Sequence, residues 1–209
     1  MFPDLTRDDV FRIETKRLWL RWPRVQDAAA IQRLAGDKDV ADMTGTVPHP
    51  YPQGEAERFI FNARKDNALG IRLSFAMVSR NKPDHFMGLI GSHITDQGAD
   101  LGYWLGKPFW GHGYATEAAH ALIDAIFSYT EIKELSASAR VINPASRHVI
   151  EKSGFQFTGS DMADAPARNG RVAVDRFRLS RSTWASLKSW REPNVESTGT
   201  PAPQLVACA

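Results

Sequence analysis

The sequence predicts an α/β fold of the α+β type, with a mixed, mostly antiparallel central sheet flanked by helices on both faces. Three observations predict it. Alternating apolar residues mark strands in both halves of the chain, and apolar residues at helical spacing mark helices between them. Three strand patterns in the middle of the chain follow one another with short turns, which indicates an antiparallel meander. The order strand, helix, helix, three strands, helix, strand, helix, strand then favours one mixed sheet.

The first half of the chain carries one strand, two helices and a proline-rich loop. The segment "RLWLRW" (17–22) alternates as a strand does, and Pro23 ends it. Apolar residues at helical spacing predict helices over Gln26–Ala35 and Glu55–Ala68, and the loop "VPHPYPQG" (47–54) separates them. The meander that follows is predicted as strands over 73–77, 85–94 and 99–106, with turns at 81–84 and 96–98.

The second half alternates helices with strands. An amphipathic stripe predicts a helix over Thr116–Thr130, and alternation predicts strands over 134–141 and 172–180. Residues 182–190 are predicted as a short closing helix.

A further short helix is predicted over 143–155 from its end signals. Asn143 suits the N-cap, Pro144 suits the first helical position, and Gly154 suits the position just past the end.

Composition narrows the class of protein. The chain has 209 residues, of which 43% are hydrophobic, as expected of one soluble globular domain. We assign that domain to residues 10–190, with an N-terminal extension over 1–9 and a flexible tail over 191–209. A net charge of +2 gives no electrostatic case for nucleic-acid binding, and no apolar run reaches the roughly 18 residues of a membrane span. With one cysteine, Cys208, and no signal-peptide pattern, we expect a cytoplasmic protein.

The stretch "FWGHGYATEA" (109–118) places small residues between a predicted strand and a predicted helix. Glycine removes the Cβ that would block a phosphate from backbone N–H groups, so an anion site is one reading. A tight turn without a ligand and close packing of helix on strand are the others. A dinucleotide fingerprint would need a third glycine at Thr116, and a Walker loop would need Gly-Lys-Ser/Thr, which is absent.

The longer stretch "LGYWLGKPFWGHGYATEA" (101–118) resembles the acetyl-coenzyme A loop of the GNAT acetyltransferase superfamily. That loop follows the pattern Gln/Arg-x-x-Gly-x-Gly/Ala, and Trp110 stands here at the Gln/Arg position. Residues 13–40 resemble the opening strand and helix of the RimJ/RimL branch, and "VINPASRHVIEKSGF" (141–155) resembles its Asn-x-x-Ser helix. The resemblance covers about residues 10–190 and implies the GNAT fold.

The resemblance implies an enzyme that transfers acetyl from acetyl-coenzyme A to a primary amine, either a protein N-terminus or a small molecule. Its implied cosubstrate site has a pyrophosphate on the backbone amides of 110–116 and a strand N–H near Tyr103 or Trp104 on the thioester carbonyl. The implied coenzyme-binding residues are Tyr103, Trp104, Leu105, Trp110, Gly111, His112, Gly113, Tyr114, Ala115, Thr116, Asn143 and Ser146.

The catalytic residues are less defined by the resemblance. Ser146 matches a serine that reaches the coenzyme sulfur as a proton donor. Many superfamily members use a tyrosine at the position that Ile150 occupies here, so Ser146 or water must serve. His93, Asp100 and Asp164 are the alternatives for the base, directly or through water, and each also has a purely structural reading.

The acceptor side is expected in the loop that contains Met43, Thr44, Tyr51 and Pro52. Glu117 is expected to complement the helix dipole, and no histidine pattern suggests a metal. A non-catalytic acyl-coenzyme A-binding module is the alternative function, and a homodimer is a partner that the branch often forms.

Overall fold

The computed structural model describes residues 2–95 and 98–191, and this part of the chain forms an eight-stranded sheet with helices on both faces. The sheet order is β1-β2-β3-β4-β5-β6-β8-β7, and every neighbouring pair is antiparallel except β5 with β6. The strands are β1 (Arg12–Glu14), β2 (Leu18–Arg21), β3 (Arg72–Ser79), β4 (Lys82–Thr95), β5 (Gly98–Leu105), β6 (Glu134–Arg140), β7 (Gln156–Ala165) and β8 (Gly170–Ser180). The helices are α1 (Ala28–Ala35), α2 (Lys38–Asp42), α3 (Glu55–Ala68), α4 (Tyr114–Tyr129), α5 (Pro144–Lys152) and α6 (Arg181–Arg191).

The mixed, mostly antiparallel sheet confirms the predicted fold class, and most predicted elements are present. The bounds of α3 agree with the prediction at both ends. The end signals of α5 also act as expected, because Asn143 is its N-cap and Gly154 adopts a left-handed φ of +91° just after it.

Three details differ from the prediction, and one predicted turn is only partly described. The turn expected at 81–84 lies at 80–81 instead, because β4 begins at Lys82 and includes Pro83. The three-residue strand β1 and the five-residue helix α2 are too short for periodicity to reveal. The turn expected at 96–98 falls partly outside the described residues.

The N-terminal residues belong to the domain rather than to an extension. Phe2 is fully buried in the main core cluster, and its N–H donates to Gly70 O at 2.7 Å. Burial of an aromatic side chain contributes about 1.5–3 kcal/mol of hydrophobic stabilisation. The charged residues of the N-terminal segment gave no sign that Phe2 would be buried. Of the tail expected over 191–209, Arg191 lies in α6 and residues 192–209 lie outside the described part.

The sheet separates two cores. One face, the α4 face, packs Leu122 and Ile126 of α4 against strand residues such as Leu101 and Phe177. The other face, the α1 face, packs Ile31 of α1 and Ile60 of α3 against β3 and β4. Within the described residues, no helix is long and apolar enough to cross a membrane.

Candidate active site

Strands β5 and β6 separate in the middle of the sheet. Their parallel pairing joins Ala99, Asp100 and Leu101 to Leu135, Ser136 and Ala137 and ends there, although both strands continue. Beyond that point Gly102 and Ser138 are both exposed, and a Cβ added to Gly102 would meet no atom within 4 Å. The sheet therefore has an opening, which we call the β5–β6 opening.

Backbone donors of β5 face this opening. Gly106 N–H donates to Met87 O on the β4 side at 2.9 Å, and N–H groups alternate sides along a strand. The N–H groups of Tyr103 and Leu105 therefore point toward the β5–β6 opening, whereas that of Trp104 points to β4. The Leu105 carbonyl on the open side accepts from the Trp110 indole Nε1 at 2.7 Å, so Trp110 fastens the end of β5 to the following loop.

The loop after β5 has the backbone that an anion site needs. Gly111 and Gly113 have φ of +78° and +76°, which a residue with a Cβ adopts at a cost of about 1–2 kcal/mol. Both are exposed, and an added Cβ at Gly111 would meet no atom within 4 Å. Gly113 is the N-cap of α4 and has no side chain to cap it, so the first N–H groups of α4, from Tyr114 to Thr116, remain available. These residues fit a bound pyrophosphate.

An arginine that sequence analysis missed holds this loop in place. Arg17, just before β2, donates from Nε to Glu117 Oε2 at 2.6 Å and from Nη1 to His112 O at 2.9 Å. Its guanidinium carbon lies 4.5 Å from the centre of the Tyr114 ring. Glu117 also accepts from Thr15 Oγ1 at 2.6 Å and from Arg17 N–H at 2.8 Å.

These contacts change the expected role of Glu117. Burial opposes ionisation, but the hydrogen bonds from Thr15 and Arg17 outweigh it and lower the pKa of Glu117. Glu117 therefore anchors the β1–β2 connection to α4, beyond complementing the helix dipole. Because Arg17 lies about 100 positions away along the chain, no local spacing could have revealed the pair.

We expect Arg17→Ala to raise the Kd for coenzyme A about tenfold, because it releases both the His112 carbonyl and the first turn of α4. Isothermal calorimetry measures the change. Arg12→Ala is the matched control, since Arg12 also pairs with a carboxylate, Glu14 at 2.8 Å, and also lies over a ring, that of Trp19. Equal effects of the two substitutions would show that Arg17 does not organise the loop.

Two hydroxyl groups meet on the α4 face of the β5–β6 opening. The Tyr103 hydroxyl donates to Ser146 Oγ at 3.0 Å, and burial raises the pKa of Tyr103 to about 12. Ser146 N–H in turn donates to Asn143 Oδ1 at 3.0 Å, so Asn143 acts as a helix cap here. The cap fixes the first turn of α5, and the turn holds Ser146 beside Tyr103.

Two of the three candidate bases are neighbours, and the third lies apart from them. His93 and Asp100 are directly opposite on β4 and β5, half-buried on the α1 face, and Ser136 Oγ donates to Asp100 at 2.8 Å. Burial raises the pKa of Asp100, and the Ser136 hydrogen bond and the charge of His93 partly oppose it. Asp164 is 92% exposed on the β7–β8 hairpin and faces Arg171, so it is far less enclosed than the other two.

The predicted acceptor loop covers part of the α1 face of the sheet, and we call residues 41–47 of this loop the 41–47 roof. This roof contacts the β7–β8 hairpin, where Ala167 N–H donates to Gly45 O at 3.1 Å. Trp104 is half-buried under this side of the sheet and packs against Phe86 at 5.9 Å between ring centres. Within residues 2–95 and 98–191, no three His, Cys, Asp or Glu side chains are grouped as a metal site would require.

Comparison with known proteins identifies the family of the chain. The family profile described as an acetyltransferase (GNAT) domain matches residues 17–156. A Bacillus licheniformis protein named "Uncharacterized N-acetyltransferase p20" is 25% identical over 174 residues, which span 82% of this chain and 97% of that protein. The ribosomal-protein-serine acetyltransferase of Escherichia coli strain K12 is 31% identical over 81 residues, or 37% of this chain and 45% of that enzyme.

Solved structures show the same fold. A RimL ribosomal α-N-protein acetyltransferase in complex with coenzyme A superposes with a TM-score of 0.70 at 18% identity, over 81% of this chain and 98% of that one. The family profile and the curated relatives confirm the predicted RimJ/RimL-like resemblance and, with it, an N-acetyltransferase that uses acetyl-coenzyme A. The chain belongs to the GNAT acetyltransferase family.

Proposed function

We propose that the chain transfers an acetyl group to a primary amine inside the β5–β6 opening. One observation carries the proposal: a glycine loop, an outward-facing N–H of β5 and a hydroxyl pair all border the opening. The loop lies at the C-terminal end of β5, so a coenzyme held there by its pyrophosphate can extend its thioester arm along the strand. The acceptor then enters from the α1 face, where Gly102 leaves room.

Bound acetyl-coenzyme A supplies the thioester whose acetyl carbon bonds to the amine nitrogen as its bond to sulfur breaks. Tyr103 N–H, which faces the opening, donates a hydrogen bond to the thioester oxygen and stabilises the charge that develops there. This narrows the expected donor from Tyr103 or Trp104 to Tyr103, because Trp104 N–H points toward β4. The amine loses a proton to the base, and the sulfur gains one.

Ser146 Oγ gives that proton to the sulfur and takes one from the Tyr103 hydroxyl, which positions Ser146 and regains its own proton from water. A tyrosine with a pKa of about 12 stays protonated at neutral pH, so its O–H remains a donor to Ser146. Ile150, at the position of the usual tyrosine, is 2% exposed and belongs to the core, so it cannot reach the opening. Tyr103, from a strand rather than from α5, brings a phenol to this helix instead.

Asp100 accepts the amine proton through a water molecule, with His93 beside it. Asp100 lies two residues before Gly102 on the same side of β5, or about 7 Å along the strand, which is too far for direct contact. Its raised pKa makes it a stronger base than an ordinary aspartate.

We expect Asp100→Asn to lower kcat/KM and to raise stability at pH 7. The raised pKa means that the folded protein holds this proton more tightly than the unfolded chain, so the contribution of Asp100 to stability is lost as pH rises through the folded-state pKa. The neutral amide removes that loss. Thermal melting from pH 4 to 8 checks the stability change, and kcat/KM over the same range checks the base. A variant with wild-type kcat/KM would transfer the role of base away from Asp100.

The acceptor is a protein N-terminus or a small amine, as the names of its relatives suggest for those proteins. Release of free coenzyme A with a panel of peptides and amines tests the function directly. Tight binding of coenzyme A without turnover on any amine would instead favour the non-catalytic binding module. The cytoplasmic location and the homodimer stay predictions.

A further inference from the structure

Two arginines from distant parts of the chain donate hydrogen bonds to the 41–47 roof on the α1 face of the sheet. Arg140, the last residue of β6, donates from Nη1 to Asp42 O. Arg168, in the short turn between β7 and β8, donates from Nη2 to Ala41 O and to Val47 O, the latter at 2.8 Å. Both therefore hold the 41–47 roof against the sheet.

These two guanidinium groups bond to carbonyl oxygens rather than to carboxylates. Within the described residues, neither forms an ion pair. The nearby Asp42 carboxylate is hydrogen-bonded by Lys38, and this bond together with the charges of Lys38, Arg168 and Arg140 lowers the pKa of Asp42. Other arginines of this half of the sheet each face a carboxylate: Arg171 faces Asp164, Arg176 faces Asp161, and Arg178 faces Glu134. The roof thus carries two positive charges that lack a bonded counter-ion.

Their hydrogen bonding is also incomplete. Arg140 Nε and Arg168 Nε are both buried and have no hydrogen-bond partner among the described residues. Charged groups removed from water are normally paired, because an unpaired one loses its hydration without compensation. An anion that enters with the acceptor would provide a directly bonded counter-ion for both.

Arg140 lies close to the β5–β6 opening, where the acetyl transfer is proposed to take place. Arg140 follows the exposed Ser138 by two residues on the same side of β6, and Ser138 lies across the opening from Gly102. The hydrogen bond from Ala167 N–H to Gly45 O joins the 41–47 roof to the β7–β8 hairpin next to Arg168. Because the roof and the hairpin are joined there, this side favours a short acceptor over a long chain.

We infer that the acceptor is a small amine that also carries a carboxylate or phosphate group, which Arg140 and Arg168 recognise. This inference rests on the proposed transferase function and specifies its substrate class. The two positive charges add a chemical advantage, because they favour the neutral amine over the ammonium ion, and the neutral amine is the form that attacks the thioester.

Matched acceptors test the inference on the wild-type protein. The first set is L-phenylalanine, L-phenylalaninamide and phenethylamine; the second is O-phosphoethanolamine and ethanolamine; spermidine represents a polycation. We expect kcat/KM to be roughly tenfold to a hundredfold higher for the anionic member of one set than for its neutral counterpart. The set that shows the preference identifies carboxylate or phosphate as the group recognised.

Substitution of the arginines tests the cause. Arg140→Gln and Arg168→Gln should each reduce the preference about tenfold or more, with coenzyme A binding retained as evidence of folding. Arg176→Gln is the matched control, since Arg176 lies on the same side of the sheet and is already paired with Asp161 at 3.1 Å. It should leave the preference unchanged.

The outcomes separate the inference from the function on which it rests. Equal use of anionic and neutral amines, or a preference for spermidine, would overturn the inference and leave the transferase intact. Coenzyme A binding without acetylation of any amine would refute the transferase and the inference together.

Discussion

Gly113→Trp is expected to weaken coenzyme A binding by at least about a hundredfold, since the affinity of a bound pyrophosphate comes from several charge-assisted hydrogen bonds. The backbone of Gly113 ends the loop and begins α4 with φ of +76°. An indole there strains the backbone and covers the N–H groups of the first helical turn. Calorimetric titration with acetyl-coenzyme A measures the loss.

Gly54→Trp is the matched control for Gly113→Trp. Gly54 is also an exposed N-cap glycine, with φ of +77°, and it begins the 14-residue helix α3. Its substitution should cost a similar backbone strain of about 1–2 kcal/mol while leaving coenzyme binding intact. If Gly54→Trp and Gly113→Trp lose binding equally, the loss reflects general destabilisation, and the loop after β5 is a turn without a ligand.

Ser146→Ala and Tyr103→Phe form the second pair of large expected effects. Removing a positioned proton donor lowers kcat by about a hundredfold or more, so Ser146→Ala should approach that loss. Tyr103→Phe keeps the ring in the core and removes the hydrogen bond to Ser146, so we expect a loss of about tenfold to a hundredfold in kcat. Coenzyme affinity should change little in either variant, and single-turnover kinetics separates the two quantities.

Ser153→Ala is the control within the same helix. Ser153 is the C-cap of α5, and its hydroxyl donates to Val149 O at 2.8 Å, so this variant reports the cost of a lost local hydrogen bond away from the opening. A double variant of Ser146 and Tyr103 should lose little more kcat than Ser146→Ala alone, because both act on one proton. Unchanged kcat in Ser146→Ala would assign the proton to water.

The Asn143 cap predicts a contrasting, smaller effect. Asn143→Ala removes the acceptor for Ser146 N–H, and loss of an N-cap costs about 1 kcal/mol of stability. We expect weaker coenzyme use together with a lower melting temperature, because the first turn of α5 positions Ser146. Retained coenzyme affinity with the same stability loss would leave Asn143 as a cap alone.

The sequence by itself determined the elements whose signals are local. The stripes of α3 and α4, the cap of α5 and the alternation of the strands depend on residues within a few positions of each other, and such interactions are visible as spacing. The glycine pair at 111 and 113 is of the same kind, because a left-handed backbone is a property of single residues. The resemblance to the family then supplied the cosubstrate that these local features fit.

The tertiary structure alone decided which distant side chains complete the site. Arg17 and Glu117 are 100 positions apart, and Tyr103 and Ser146 are 43 apart, so their pairing depends on how the sheet is ordered. The same holds for the opening after the β5–β6 pairing ends at Leu101, and for the direction of the β5 N–H groups, which makes Tyr103 rather than Trp104 the outward donor. Arg140 and Arg168 became candidates for acceptor recognition once the 41–47 roof was seen to lie on them. Hydrophobic periodicity indicates which face of a helix or strand is buried. The partner of a polar group depends instead on how helices and strands pack together. The candidate catalytic and binding groups of this protein are brought together by that packing.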